Sequence, residues 1–106
     1  MNADEFVKLW KAEKDSFLKT CIEANDETAV SAYIREMNLS EEQKISFNKV
    51  IDQLLTDTFY SLLLGLDGCA SIGDVQKTYK IYDESGNLIS DCGEWEAEAY
   101  EQFQEI

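Results

Sequence analysis

The residues whose types and spacing come closest to a metal site lie between Asp83 and Glu94. Oxygen-bearing side chains occupy positions 1, 3, 5, 9 and 12 of a twelve-residue calcium loop: Asp83, Ser85, Asn87, Asp91 and Glu94. Position 6, which requires glycine for a sharp turn, is Leu88, and the preceding residues alternate as in a strand. The pattern therefore favours a hairpin turn followed by a helix start, and we expect no bound metal and no cofactor.

Groups suited to catalysis are few in this chain. Histidine is absent, which removes the commonest general base, the usual serine and cysteine triads, and most zinc sites. Cys69 and Cys92 lie among carboxylates, which oppose formation of a reactive thiolate. Paired carboxylates such as Glu94 and Glu96 could do acid–base chemistry, but solvated surface acids greatly outnumber catalytic ones. We therefore predict that the protein is not an enzyme.

Charge is the most distinctive property of the chain. The 22 acidic and 9 basic residues give a net charge of −13, divided as −4 over residues 1–53 and −9 over residues 54–106. Eight acids follow Lys80, and no Lys or Arg does. Such a field disfavours nucleic acids and anionic membranes, and it attracts a basic protein. The alternative is that the acidity only keeps the protein in solution.

Aromatic side chains interleaved with these acids make the hairpin and the last helix the candidate partner-binding surface. Rings supply buried contact area, and acids supply orientation and a fast association rate. The predicted partner-binding residues are Tyr82, Asp83, Glu84, Asp91, Glu94, Glu98, Tyr100 and Glu101. Trp95 and Phe103 are instead predicted to lie in the core.

Two helices are predicted before residue 40. The first runs from about Ala3 to Ala24, and its lysines, Lys14 among them, lie opposite an apolar stripe. That stripe contains Phe6, Trp10, Phe17 and Cys21. The second helix is predicted to be capped by Asn25-Asp26 and to continue through Met37.

The long central helix is the element around which the rest of the chain is organised. A capping box formed by Ser40 and Gln43 is predicted to start it, and Gly65 to end it. Its apolar positions cover more than one narrow stripe, which predicts apolar neighbours on at least two sides. They are Ile51, Leu54, Leu55, Thr58, Phe59, Leu62 and Leu63.

The pattern then changes from helical spacing to alternation. Val75–Tyr82 and Leu88–Ser90 are predicted to form a hairpin that lies against a helix or pairs with another chain, and Glu94–Ile106 a final helix. The predicted fold is α+β, a three-helix antiparallel bundle followed by a hairpin and a C-terminal helix, in a single domain over residues 1–106. Three cysteines without close spacing and an N-terminus without an apolar segment predict a cytoplasmic protein with reduced thiols.

In size, acidity and the pattern from Phe59 to Phe103, the chain resembles the small acidic bacterial proteins that act as immunity or antitoxin partners of basic toxins. The resemblance implies a non-catalytic protein that neutralises a cationic partner through its acidic face. The alternative hypothesis is a small dimeric chaperone-like adaptor, in which the long helix or the hairpin edge pairs across a two-fold axis.

Overall fold

The computed structural model describes residues 1–23, 28–90 and 93–104. Its helices and strands are α1 (Ala3–Ile22), α2 (Ala29–Glu36), α3 (Glu41–Leu66), β1 (Ile81–Tyr82), β2 (Leu88–Ser90) and α4 (Glu96–Phe103). Strands β1 and β2 pair antiparallel. The described part of the chain is therefore mainly helical with one small hairpin, which confirms the predicted α+β class.

Helix α1 is the element on which most of the others pack. It contacts α3, α4, α2 and strand β2, and α3 and α4 also pack on each other. Within the described residues α2 packs on α1 alone, so the predicted bundle of the first three helices is not confirmed. The hairpin lies against a helix, as expected.

The core lies where α1, α3, α4 and β2 meet. Trp95 is completely buried, with its ring centroid 5.1 Å from that of Phe6, and Phe103 stacks on Phe59 at 6.4 Å. Val7, Leu63, Ile89 and Ala99 complete the buried apolar cluster. The predicted placement of Trp95 and Phe103 in the core is confirmed.

The predicted apolar stripe of α1 is partly wrong. The buried residues of α1 are Val7, Lys14 and Cys21, whereas Phe17, which the stripe included, is 47% exposed. Lys14 is only 4% exposed because its ammonium group pairs with Asp52 on α3 and lies 3.5 Å from Asp15. A lysine assigned to the solvated face therefore joins α1 to α3.

The starts of α2 and α3 follow local capping chemistry. Asn25-Asp26 lies outside the described residues, and the residue that caps α2 is Thr28, in a capping box with Ser31. The predicted box at α3 is confirmed, since Gln43 N–H donates to Ser40 Oγ at 3.2 Å and Ser40 N–H donates to Gln43 Oε1 at 2.8 Å. These boxes satisfy N–H groups that the first helical turn leaves without partners.

The predicted end of α3 is wrong. The helix continues through Gly65 to Leu66, and Gly68 adopts the left-handed conformation at φ 82°. Gly65 serves a different purpose, because a Cβ there would lie 2.8 Å from Cγ1 of Ile72. Its missing side chain allows the segment after the helix to fold back closely against α3.

The first hairpin strand is shorter than predicted. Alternation predicted a strand from Val75, but β1 consists of Ile81 and Tyr82 because the returning strand, at three residues, is too short to pair with more. Val75 instead forms an isolated bridge with Ile72. The predicted turn is confirmed, with Gly86 left-handed at φ 83°.

The molecule is elongated, with dimensions of 47 × 28 × 27 Å. Helix α3, at 26 residues, is about 39 Å long and extends over most of the longest dimension. Helix α2 lies near its N-terminal half, where Arg35 lines a cleft with Lys44, and α4 packs on its C-terminal half. None of the described helices is both long enough and apolar enough to cross a membrane.

Candidate interaction surface

Helix α4 is positioned by the apolar side chains that it buries. Ala99 and Phe103, four residues apart, face α1 and α3. The opposite side of the helix is therefore turned to solvent, where Tyr100 is 54% exposed and Glu96 and Glu101 are exposed beside it. We call Glu96, Tyr100 and Glu101 the α4 cluster.

Cys69, just after α3, lies within reach of the α4 cluster. Its thiol donates to Asp67 Oδ2 at 3.4 Å and to Glu96 Oε2 at 3.5 Å. Burial raises the pKa of the neighbouring Tyr60, and the negative charge of Glu96 adds to the shift. These groups converge where the end of α3 meets the start of α4.

The same environment sets the reactivity of the Cys69 thiol. Partial burial and hydrogen bonds to the carboxylates of Asp67 and Glu96 raise the pKa of Cys69 to about 12. The thiolate is the nucleophilic form, so this cysteine stays protonated at neutral pH. Its surroundings are those of a structural thiol rather than of a catalytic one.

Glu98 lies on the inner side of α4. It is only 9% exposed, and its Oε1 accepts a hydrogen bond from Gln102 Nε2 at 3.0 Å and lies 3.9 Å from Lys8 Nζ. Since Glu98 directly precedes the buried Ala99, the rotation of α4 that buries its apolar stripe turns Glu98 inward as well. Its carboxylate joins α4 to α1 and is largely unavailable to a partner.

The hairpin carries a second group of predicted residues. Tyr82 is 55% exposed and lies opposite Leu88, which is 42% exposed. Glu84 is also exposed, whereas Asp83 is half-buried and accepts the N–H groups of Ser85 and Asn87 on its Oδ1, each at 2.9 Å. Asp83 thus holds the turn. We call Tyr82, Asp83 and Glu84 the hairpin cluster.

The two clusters are held by a common support. Strand β2 and α4 each pack on α1, and in the described residues they do not pack on each other. Glu94 lies exposed in the turn just before α4, and Asp91 lies outside the described residues. The exposed predicted residues Tyr82, Glu84, Tyr100 and Glu101 therefore lie in two acidic clusters on one scaffold, and the α4 cluster adds Glu96, which was not predicted.

A third surface lies on α3, the long helix that the alternative hypothesis pairs across a two-fold axis. Several apolar side chains lie on the side of α3 turned away from α1 and α4, and Val50, Leu54 and Leu62 are 61%, 62% and 57% exposed. We call this surface the outer α3 face; its apolar members are Phe47, Val50, Ile51, Leu54, Leu55 and Leu62. The breadth of the apolar arc was the available signal. Helices α1 and α4 pack on one side of α3, whereas on the other side Ile72 lies close at Gly65, and Val50, Leu54 and Leu62 stay more than half exposed.

A cleft of about 330 Å³ lies between α1, α2 and α3. Its lining includes Ile22 and Ile34 with the charged side chains of Glu23, Arg35 and Lys44. This mixed lining contains a single carboxylate, so it does not provide the paired acids that acid–base chemistry would use.

The carboxylates of the described residues are not grouped as a metal site requires. The described residues contain no group of three or more Cys, Asp or Glu side chains arranged to hold a metal ion, and the residues of the calcium-like spacing that are described belong to the hairpin and the turn after it.

Searches against known protein families, curated proteins and solved structures find no match to this chain.

Proposed function

We propose that this chain is a non-catalytic protein that binds a basic protein through the hairpin cluster and the α4 cluster. The observation that carries the proposal is Tyr100, which is 54% exposed on a helix whose exposed charged side chains are all acidic. A solvent-facing ring between carboxylates is suited to a cationic surface, because the ring provides buried area and the carboxylates orient the partner.

The overall charge supports the same assignment. Residues 54–106 carry a net charge of −9, and no base follows Lys80 to neutralise the two clusters. A field of one sign raises the association rate with a partner of opposite sign and makes binding depend on salt. Neutralisation of a basic partner is also what the resemblance to immunity and antitoxin proteins implies.

Both clusters are attached to a shared, packed support, which favours simultaneous contact. Ile89 of β2 and Ala99 of α4 belong to one buried apolar core with Val7 of α1. Two binding groups held on one rigid body lose little further entropy when the second group engages. A partner with two basic patches would therefore be held more tightly than one with a single patch.

The state of the cysteines supports the non-catalytic and cytoplasmic parts of the proposal. Cys21 and Cys69 are free thiols, which is typical of a reducing compartment. With its pKa raised to about 12, the Cys69 thiol is unsuited to nucleophilic attack.

A pull-down from the native host tests the proposal. The immobilised chain is expected to retain a protein rich in Lys and Arg that elutes with increasing salt. Tyr100→Ala should weaken this binding by about fivefold or more, since a central tyrosine typically costs over 1 kcal/mol when truncated at an interface. Tyr33→Ala is the matched control, because Tyr33 is 67% exposed on α2, away from both clusters.

The contrary outcomes are equally specific. Recovery of no basic protein would overturn the proposal. So would binding that is indifferent to salt, or a partner retained equally well by the Tyr100→Ala chain.

A further inference from the structure

The outer α3 face has the composition of a buried surface, yet only Phe47, Ile51 and Leu55 are half-buried, and its other three apolar residues are exposed. On an ideal helix its six apolar residues occupy an arc of about 140°. The exposed fractions of Val50, Leu54 and Leu62 all exceed one half. An apolar surface of this extent on a small protein indicates a contact with another molecule.

The total surface of the chain is larger than a compact monomer would have. The accessible surface is 7217 Å², whereas a compact monomer of this mass exposes about 6,000 Å². The excess of about 1,200 Å² belongs to the whole chain, and it is larger than the area of about 800 Å² that a stable protein–protein interface of ordinary size covers on each partner. The radius of gyration agrees, at 16.4 Å against about 13 Å for a compact domain of this length.

Charge identifies which molecule can cover the outer α3 face. The four acids of α3, Glu41, Glu42, Asp52 and Asp57, all lie outside the apolar arc on the helical projection. Lys44, near the N-terminal end of α3, is the one charged residue inside the arc. Glu42 and Asp57 border the arc, lining surface depressions with Phe47 and Val50 and with Leu62. In a chain of net charge −13, the arc between them is where a second equally acidic copy could approach with least repulsion.

We propose that the outer α3 face is the interface of a two-fold symmetric homodimer, in which the two α3 helices pack antiparallel. This inference does not rest on the binding of a basic protein, since it uses a different surface. A two-fold axis makes the same patch serve both copies, so one apolar arc is sufficient.

The antiparallel arrangement follows from where the charge lies along α3. The half of the chain with net charge −9 includes α4 and the hairpin, and α4 packs on the C-terminal half of α3. A parallel pair would bring these two halves together, whereas an antiparallel pair places them at opposite ends. Leu54 lies near the middle of α3, so it would lie beside Leu54 of the second copy.

Sedimentation equilibrium of three full-length chains tests the interface. The natural chain is expected to be a dimer, and Leu54→Glu to weaken the dimer by about 100-fold, because two carboxylates would meet at the axis. Ile45→Glu is the matched control and should remain dimeric. Ile45 is 61% exposed on the same helix, and nine residues place it about 180° from Leu54. Since both positions are exposed, circular dichroism should show folded variants.

Disulfide trapping tests the orientation. With Leu54→Cys, oxidation should yield a symmetric disulfide between two copies, located by peptide mapping. With Leu62→Cys it should not, because position 62 of one antiparallel helix lies near position 46 of the other. A monomeric natural chain would overturn the proposal, as would equal dissociation of the Leu54→Glu and Ile45→Glu chains. Equal trapping at positions 54 and 62 would overturn the antiparallel arrangement.

Discussion

Ser90 donates a hydrogen bond from its Oγ to Oδ1 of Asp67 at 3.0 Å, and both side chains are fully buried. The main-chain carbonyl of Asp67 also accepts the N–H of Gly93 at 3.1 Å. Asp67 is the residue that caps the C-terminus of α3. One buried aspartate therefore joins the end of the long helix to β2 and to the turn before α4.

Ser90→Ala is expected to lower the free energy of unfolding by about 1.5–3 kcal/mol, because a buried carboxylate loses a donor. Urea denaturation followed by tryptophan fluorescence measures the change. Ser85→Ala, in the exposed hairpin turn, is the control and should stay within about 0.5 kcal/mol of the natural chain. Equal effects of the two substitutions would show that the Asp67–Ser90 hydrogen bond contributes little.

The Cys69 thiol is expected to react slowly despite its exposure. Since its pKa is raised to about 12, iodoacetamide at pH 8 should modify Cys69 at least tenfold more slowly in the folded chain than in urea. Glu96→Gln should speed the folded-state reaction, because it removes one of the carboxylates that raise the pKa. Glu101→Gln, on the same helix, should leave the rate unchanged. A folded-state rate equal to that in urea would contradict the raised pKa.

The sign of the corresponding stability change can be stated. The unfolded thiol has a pKa of about 8.5, so the folded state holds this proton more tightly. The contribution to stability is complete below pH 8.5 and is lost as the pH rises toward about 12.

The hairpin turn is expected to depend on the ionised form of Asp83. Hydrogen bonds from the N–H of Asn87 and then from that of Ser85 lower the pKa of Asp83. The folded pKa is therefore below the unfolded value of about 3.9, so the stabilisation is present above that pH and is lost as the pH falls through the folded value. The amide resonance of Asn87 should report the titration with a midpoint below 3.9.

Asp83→Asn is the control for that titration, since it removes the ionisable group but keeps an acceptor for the turn. The Asn87 resonance should then lose its acid transition. If the titration midpoint of Asp83 in the natural chain lay at or above about 3.9, the turn would not favour the ionised carboxylate over the protonated acid.

The pair between Lys14 and Asp52 provides a test of what a buried lysine costs. Asp52→Asn is expected to destabilise the fold by about 1–3 kcal/mol, because it leaves the buried ammonium with Asp15 alone. Lys14→Met should cost less, because it removes the charge and keeps the packed chain. Lys44→Gln breaks an exposed pair with Glu41 and should cost less than about 1 kcal/mol. Thermal unfolding would contradict this account if Lys14→Met were the most damaging of the three.

Features that depend on neighbouring residues in sequence were predictable. The capping box at Ser40 and Gln43 and the left-handed Gly86 follow from local hydrogen bonding and backbone freedom. Lys14 was not predictable, because its partner Asp52 is 38 residues away. The alternation from Val75 to Tyr82 predicted a long strand, but a strand also needs a partner of equal length.

The candidate site was predictable in composition more than in position. Tyr82 and Tyr100 are exposed, yet the acids around them have different environments. Glu98 faces α1, and Asp83 is engaged by its own turn. The rotation of α4 about its axis, which is set by the burial of Ala99 and Phe103, determines which acids face solvent. Periodicity indicated the apolar breadth of α3, but not that Val50, Leu54 and Leu62 would stay more than half exposed.

The narrow gap beside Gly65 has a consequence for recognising distant relatives. A methyl group there would collide with Ile72, Asp67 holds three segments together, and Gly68 requires the left-handed conformation. These three positions are constrained by close packing, a buried hydrogen bond and a positive φ, whereas the exposed acids are not. Distant relatives of this chain are therefore best recognised by a Gly-x-Asp-Gly motif at the C-terminal end of a long amphipathic helix, even where the net charge differs.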